Sequence, residues 1–191
     1  IACRLVLTEA HMTQQKMPDC WVDGLTIGQV LRETAQKYAD QDALVFPGLG
    51  ARYTYREFDE EVDRIAKALI ASGVKKGDHV GCWATNVPEW PVLQMATARM
   101  GAVLVTINPA YRSSELSYVL KQGDITALFL VDQFKKSDYH AILAEAVPSL
   151  RNAKDGALDA TDFPHLKLVV NLRGETPSTM LDYLSFAARA E

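Results

Sequence analysis

Few residues of this chain are arranged as a catalytic motif. His11, His79, His140 and His165 are scattered without the spacing of metal ligands, so a metal centre is not expected. Asp59-Glu60-Glu61 places carboxylates side by side, but on a helix such a run is a solvated face rather than an acid–base pair. Cys82 lies within Val80-Gly81-Cys82-Trp83-Ala84 and reads as a small buried hydrophobe rather than a nucleophile. Glycine-rich nucleotide loops of the GxGxxG and GxxxxGK[ST] types, HExxH and GxSxG are all absent from the sequence. Gly73-Val74-Lys75-Lys76-Gly77-Asp78 carries glycine and lysine, yet it leads from a helix end into a strand. A phosphate loop runs the other way, from a strand to a helix N-terminus.

Chemistry must therefore come from loops that a fold brings together. Three polar segments each follow an apolar run and precede a helical one. They are Thr85-Asn86-Val87-Pro88, Asn108-Pro109-Ala110-Tyr111-Arg112 and Asp132-Gln133-Phe134-Lys135-Lys136. In an open parallel sheet, ligands bind beyond the carboxyl ends of the strands, which is where these segments would lie. The plainer reading, which is favoured for each, is that Asn86, Asn108 and Asp132 are turn formers and caps.

The elements that would position those segments are legible. Thr26-Ile27-Gly28-Gln29 and Thr54-Tyr55-Arg56-Glu57 are capping boxes, in which the hydroxyl and the later side chain satisfy orphan amides reciprocally. They predict helices from about Ile27 to Tyr38 and from Thr54 to Gly73. Ala43–Phe46 and Ala51–Tyr53 flank Pro47-Gly48-Leu49-Gly50 and predict a small hairpin. Strands are expected at His79–Trp83, Val103–Ile107, Ala127–Val131 and Leu166–Val170. Helices are expected at Glu89–Met100, Ser113–Lys121 and Tyr139–Val147, and a last one is expected to be capped by Thr179 and to run through Met180, Leu181, Leu184 and Ala187. Glu89–Met100 is apolar nearly all round and should be deeply buried. Pro148–Pro164 is polar and reads as a surface excursion. Strand–helix alternation with continuously apolar strands predicts an α/β fold: a doubly wound, mainly parallel sheet flanked by helices, with a small N-terminal hairpin region.

With 191 residues, the chain is long enough for one substantial core. A net charge of −4 gives no general attraction to phosphate backbones, which argues against nucleic-acid binding. Three cysteines without a CxxC pair argue against a disulfide framework and for a cytoplasmic setting. No transmembrane segment is expected. His11-Met12 has the look of a cloning junction, so residues 1–11 are set aside as a tag or cloning remnant.

Several stretches together resemble the adenylate-forming, AMP-binding superfamily of acyl-CoA synthetases, luciferases and peptide-synthetase adenylation domains. Thr54-Tyr55-Arg56-Glu57-Phe58 resembles its first core motif. Gly77-Asp78-His79-Val80-Gly81 with Asn86-Val87-Pro88-Glu89-Trp90 is similar to the next stretch, and Ala96–Pro109 with Tyr111–Leu120 to the second core motif. Phe134-Lys135-Lys136-Ser137-Asp138-Tyr139 resembles a segment of bacterial fatty-acyl-CoA ligases. The resemblance implies that residues 12–191 are an incomplete N-terminal subdomain of an AMP-binding domain, with the catalytic phosphate loop and C-terminal domain absent. It implies a parent enzyme, a fatty acid–CoA ligase using ATP, CoA and Mg²⁺, that forms acyl-AMP and then acyl-CoA. This chain alone would be inactive, with no catalytic or metal residue and no tightly held cofactor. Thr54 would be a cap, Gly101 would permit close packing, and Pro109 would end a strand. Lys135 and Lys136 stand near the place of basic residues that contact the CoA 3′-phosphate in acetyl-CoA synthetases; a solvated lysine pair is the competing reading. The alternatives are an adenylating enzyme that loads a carrier protein and a non-catalytic binding or scaffold domain. Expected partners are a carboxylic acid substrate, the rest of the same chain and, through uncovered apolar surface, a second copy in a homodimer.

Overall fold

The computed structural model describes residues 24–191. The proposed tag, the expected start at Met12, Cys3 and Cys20 lie outside the described residues.

Both capping boxes form. The Thr26 hydroxyl accepts from the Gln29 amide at 3.2 Å, and the Gln29 side chain accepts from the Thr26 amide at 2.7 Å. They start α1 (Ile27–Lys37). A hairpin follows, β1 (Asp42–Phe46) paired antiparallel with β2 (Ala51–Thr54). Thr54 then caps α2 (Tyr55–Ala71): its hydroxyl accepts from Glu57 N–H at 3.3 Å, while its own N–H donates to the Glu57 carboxylate at 2.8 Å. Phe58, Val62, Ile65 and Leu69 recur by threes and fours and are buried, as that spacing requires.

The core is a five-stranded parallel sheet. Its strands are β3 (His79–Trp83), β4 (Val103–Thr106), β5 (Ile125–Leu130), β8 (Leu168–Asn171) and β9 (Leu181–Asp182), in the order β4-β3-β5-β8-β9. The crossovers carry α3 (Glu89–Met100), α4 (Ser113–Gln122) and α5 (Tyr139–Ala146). Between β5 and α5 sits a two-residue hairpin, β6 (Gln133–Phe134) with β7 (Ser137–Asp138). The chain ends in α6 (Tyr183–Ala187) and a 3-10 turn. Chain direction across the sheet reverses at β3, with β4 on one side and β5 on the other, which is the doubly wound order.

Three expectations need correction. Pro148–Pro164 is not a surface excursion: Leu150, Leu158, Ala160 and Phe163 are buried, and Ala157 bridges Leu168. Polar and apolar residues alternate there, so an irregular segment lays its apolar members on the core. Thr179 caps no helix; Leu181–Asp182 extends the sheet beside Val170–Asn171, and Asp182 caps α6 by accepting from Ser185 N–H at 2.9 Å. Leu184 accordingly points outward, 73% exposed. Helix α3 is less immersed than its composition suggests. It buries Val92, Leu93, Ala96 and Thr97 along one face, and Gln94 is exposed. Gly101 is the left-handed cap of α3 at φ +80°, and the nearest neighbour of an added Cβ would be the flexible Lys76 side chain at 3.0 Å.

Candidate functional site

The three post-strand segments do converge. A cleft of about 730 Å³ opens at the carboxyl ends of β3 and β4. It is lined by Thr85 and Asn86 after β3, Asn108 and Pro109 after β4, Trp90 on α3 and Phe134 on the hairpin after β5. The cleft offers two aromatic side chains together with hydroxyl and amide groups.

Each wall has a physical anchor. Trp83 at the end of β3 donates its indole N–H to the Asn108 carbonyl at 3.1 Å. Tyr139, the first residue of α5, donates its phenol to the Pro109 carbonyl at 2.7 Å. The two rings stack beneath that turn. Burial pushes the Tyr139 phenol above its ordinary pKa, with Arg112 pulling the other way. Asn108 closes its own turn, accepting from Ala110 N–H at 2.9 Å, and Asp132 accepts from Gln133 N–H at 2.8 Å. Asn86 meets the turn half of its expectation, lying at the centre of a turn closed by Val87 N–H donating to the Thr85 carbonyl at 2.9 Å, but it caps no helix. Helix α3 has Pro88 at its cap with no side-chain cap bond, and Asn86 is exposed on the cleft wall.

Lys135 and Lys136 sit at the tip of the β6–β7 hairpin and are exposed. Lys135 takes φ +55° to make the turn, and its ammonium lies 5.1 Å from the centroid of the Phe134 ring. Cys82 is buried in the sheet, where desolvation pushes its thiol up to about 12, so it is no nucleophile. His79 and His140 are committed to Gly123 and Asn171. Among the described residues no cluster of three or more His, Cys, Asp or Glu could hold a metal ion, and no helix is long and apolar enough to cross a membrane.

The AMP-binding enzyme family matches residues 31–178. The chain belongs to the AMP-binding enzyme family. Among relatives, YngI of Bacillus subtilis, which carries a provisional assignment as an acyl-CoA synthetase, is 43% identical over 155 residues, covering 81% of this chain and 28% of that protein. The human medium-chain acyl-CoA ligase ACSF2, a mitochondrial protein, is 40% identical over 156 residues, covering 82% of this chain and 25% of its own. Among solved structures, the N-terminal domain of FACL13 from Mycobacterium tuberculosis superposes with a TM-score of 0.63 at 25% identity, covering 86% of this chain and 36% of that one. This member of the AMP-binding family therefore spans about a quarter of the length of these curated relatives. The fold expected from the sequence, an acyl-CoA synthetase-like N-terminal subdomain, is the fold observed.

Sequence reasoning singled out the loops, Phe134 among them, but missed Trp90 as a wall and Glu89, Asn171 and Arg173 as supports. The one local signal was an asparagine ending an apolar strand at Asn171, a position that demands partners.

Proposed function

We propose that this chain is the N-terminal subdomain, residues 12–191, of an ATP-dependent carboxylic acid–CoA ligase acting on fatty or medium-chain acids. The observation that carries this reading is the 40–43% identity, over more than four-fifths of the chain, to proteins named acyl-CoA synthetase or ligase. On this reading the acid's carboxylate attacks the α-phosphate of ATP, releasing pyrophosphate, and the CoA thiol then displaces AMP.

The described residues do not fit Mg²⁺ or the polyphosphate of ATP. They offer no metal cluster, and no phosphate loop occurs in the sequence. The chain alone is expected to be inactive. The cleft does fit the nucleotide end of CoA. Trp90 and Phe134 offer aromatic surface and Thr85, Asn86 and Asn108 offer hydrogen bonds. Lys135 and Lys136 do not line the cleft but are exposed at the tip of the hairpin that carries Phe134, and are the cations we assign to the 3′-phosphate. A cytoplasmic location is part of the proposal, although the human relative is mitochondrial by name. The partners are the acid, CoA and the rest of the polypeptide.

The complete gene product is assayed for acid-dependent pyrophosphate release and CoA-dependent AMP release, using acids of graded chain length. Acyl-CoA formation is the expected result, with none from the 191-residue chain. Acyl transfer only to a carrier protein, or no acid-dependent pyrophosphate at all, overturns the ligase reading. Sedimentation of the same preparation checks the homodimer.

A further inference from the structure

Asn171, the last residue of β8, is 1% exposed. A buried amide must find partners, and this one is fully engaged. Its Nδ2, with two hydrogens to share among three acceptors, lies 2.9 Å from the Arg173 carbonyl, 3.3 Å from the Glu175 carbonyl and 3.0 Å from the Thr176 hydroxyl. With its nitrogen facing three acceptors, its Oδ1 must face His140, whose Nε2 lies 3.1 Å away and therefore carries the hydrogen. The 173–176 turn is thus coiled around a single side chain.

That turn reaches both walls of the cleft. The Leu172 amide donates to the Leu130 carbonyl at 2.7 Å, laying the segment across the end of β5. Gly174, at φ +84°, lies directly against Asp132; a Cβ there would sit 2.0 Å from the carboxylate oxygen. Asp132 opens the hairpin that carries Phe134, Lys135 and Lys136, and its carbonyl accepts from Tyr139 N–H at 2.9 Å. On the other side, Arg173 Nε donates to the Glu89 carboxylate at 2.8 Å. Glu89 is the first residue of α3 and the neighbour of Trp90, with its side chain only 12% exposed.

Neither wall holds itself. A hairpin of two residues per strand is marginal alone. Helix α3 begins without a side-chain cap, so its first turn depends on outside contacts. The 171–176 segment supplies contacts to both.

We propose that residues 171–176 form a strap that fixes the distance between the Trp90 and Phe134 walls, with Arg173 and Asn171 as positioning residues for the CoA nucleotide. This rests on the CoA assignment of the cleft made above. The Arg173 side chain is 33% exposed and that of Glu89 12%, so the pair lies at the edge of the core, where it ties the strap to the first turn of α3.

The test is isothermal titration of the complete gene product with CoA, and separately with ATP, in the wild type, Arg173→Ala and Arg173→Lys. Asn171→Ala empties a buried network and is at risk of misfolding, so the Arg173 variants carry the test, with urea unfolding as the check on folding. Arg173→Ala is expected to raise the Kd for CoA about 5- to 20-fold and leave the Kd for ATP unchanged. Arg173→Lys is expected to return the CoA Kd to within about threefold of wild type, because a lysine Nζ reaches at least as far as the arginine Nε in use. A CoA Kd within about twofold of wild type in Arg173→Ala overturns the strap. So does equal loss of CoA and ATP binding. A wild-type protein that makes acyl-AMP but binds no CoA removes the CoA assignment and the strap together, and is told apart because the wild type itself fails.

Discussion

Trp83 and Tyr139 stack with ring centroids 3.9 Å apart and planes inclined by 7°, and they donate to the consecutive carbonyls of Asn108 and Pro109. One aromatic pair therefore supports the turn that floors the cleft. Tyr139→Phe keeps the stack but leaves the Pro109 carbonyl without its donor. The expected cost is about 1–2 kcal/mol, read as a lower urea midpoint with an unchanged slope. Trp83→Phe shrinks the stack and removes the donor, and the double variant should lose less than the sum, because the residues act as one unit.

Lys135 and Lys136 meet solvent at a hairpin tip, where the one intramolecular contact described for their ammonium groups is that of Lys135 with the Phe134 ring. Lys135→Ala/Lys136→Ala should weaken CoA binding by the complete gene product about 5- to 30-fold, while dephospho-CoA binding changes little. Equal effects on both ligands would return the pair to the status of solvated lysines.

Arg99 joins three helices. Its guanidinium pairs with the Asp59 carboxylate, donates to the Asp59 carbonyl at 3.1 Å and lies 3.7 Å from Asp63, with only 11% of its side chain exposed. Gly28 of α1 packs on its backbone, where a Cβ would come within 3.2 Å of the Arg99 Cα. Arg99→Ala is expected to cost about 2–4 kcal/mol in urea unfolding, because Asp59 is left part-buried and unpaired. Arg99→Lys should recover less than half of that, since one ammonium cannot replace the fork.

Acid sensitivity should follow the caps. The Thr54 amide and hydroxyl hold the Glu57 carboxyl below its usual pKa, and Ser185 does the same for Asp182. A depressed folded-state pKa gives stabilisation that is present above the unfolded value of about 4 and is lost as pH falls through the folded value. Glu57→Gln and Asp182→Asn keep acceptors at the caps but remove the titration. The expected result is a flatter fall of the urea midpoint below about pH 4, with little change at pH 7. A wild-type slope in both variants would contradict it.

The readable features were those whose causes are local. Thr26 and Thr54 announce helices because a capping box is complete within four residues. His79–Trp83 reads as a strand because it is apolar throughout. Pro148–Pro164 misled because Asp155, Asp159 and Asp162 dominate its composition, whereas its fate is set by Leu158, Ala160 and Phe163 meeting a distant core. Leu181–Asp182 carries no strand signal of its own; two residues become a strand only because β8 lies alongside. The cleft was half legible. Its loops follow from the rule that parallel sheets present ligands at their carboxyl edge. That Trp90 and Phe134 would line one cleft, or that Arg173 would reach Glu89 across 84 residues, depends on crossovers whose geometry sequence spacing does not encode.

The Trp83–Tyr139 stack also orders events in time. A ribosome delivers Trp83 fifty-six residues before its partner, so strands β3 and β4 can pair while one face of the indole still meets water. Parallel pairing across long crossovers is intrinsically slow, and β3 stays an open sheet edge until β5 arrives to cover it. The nascent chain thus passes through an interval with an apolar edge and an exposed aromatic ring, the kind of surface that holding chaperones engage. That interval ends when Tyr139 closes over the ring.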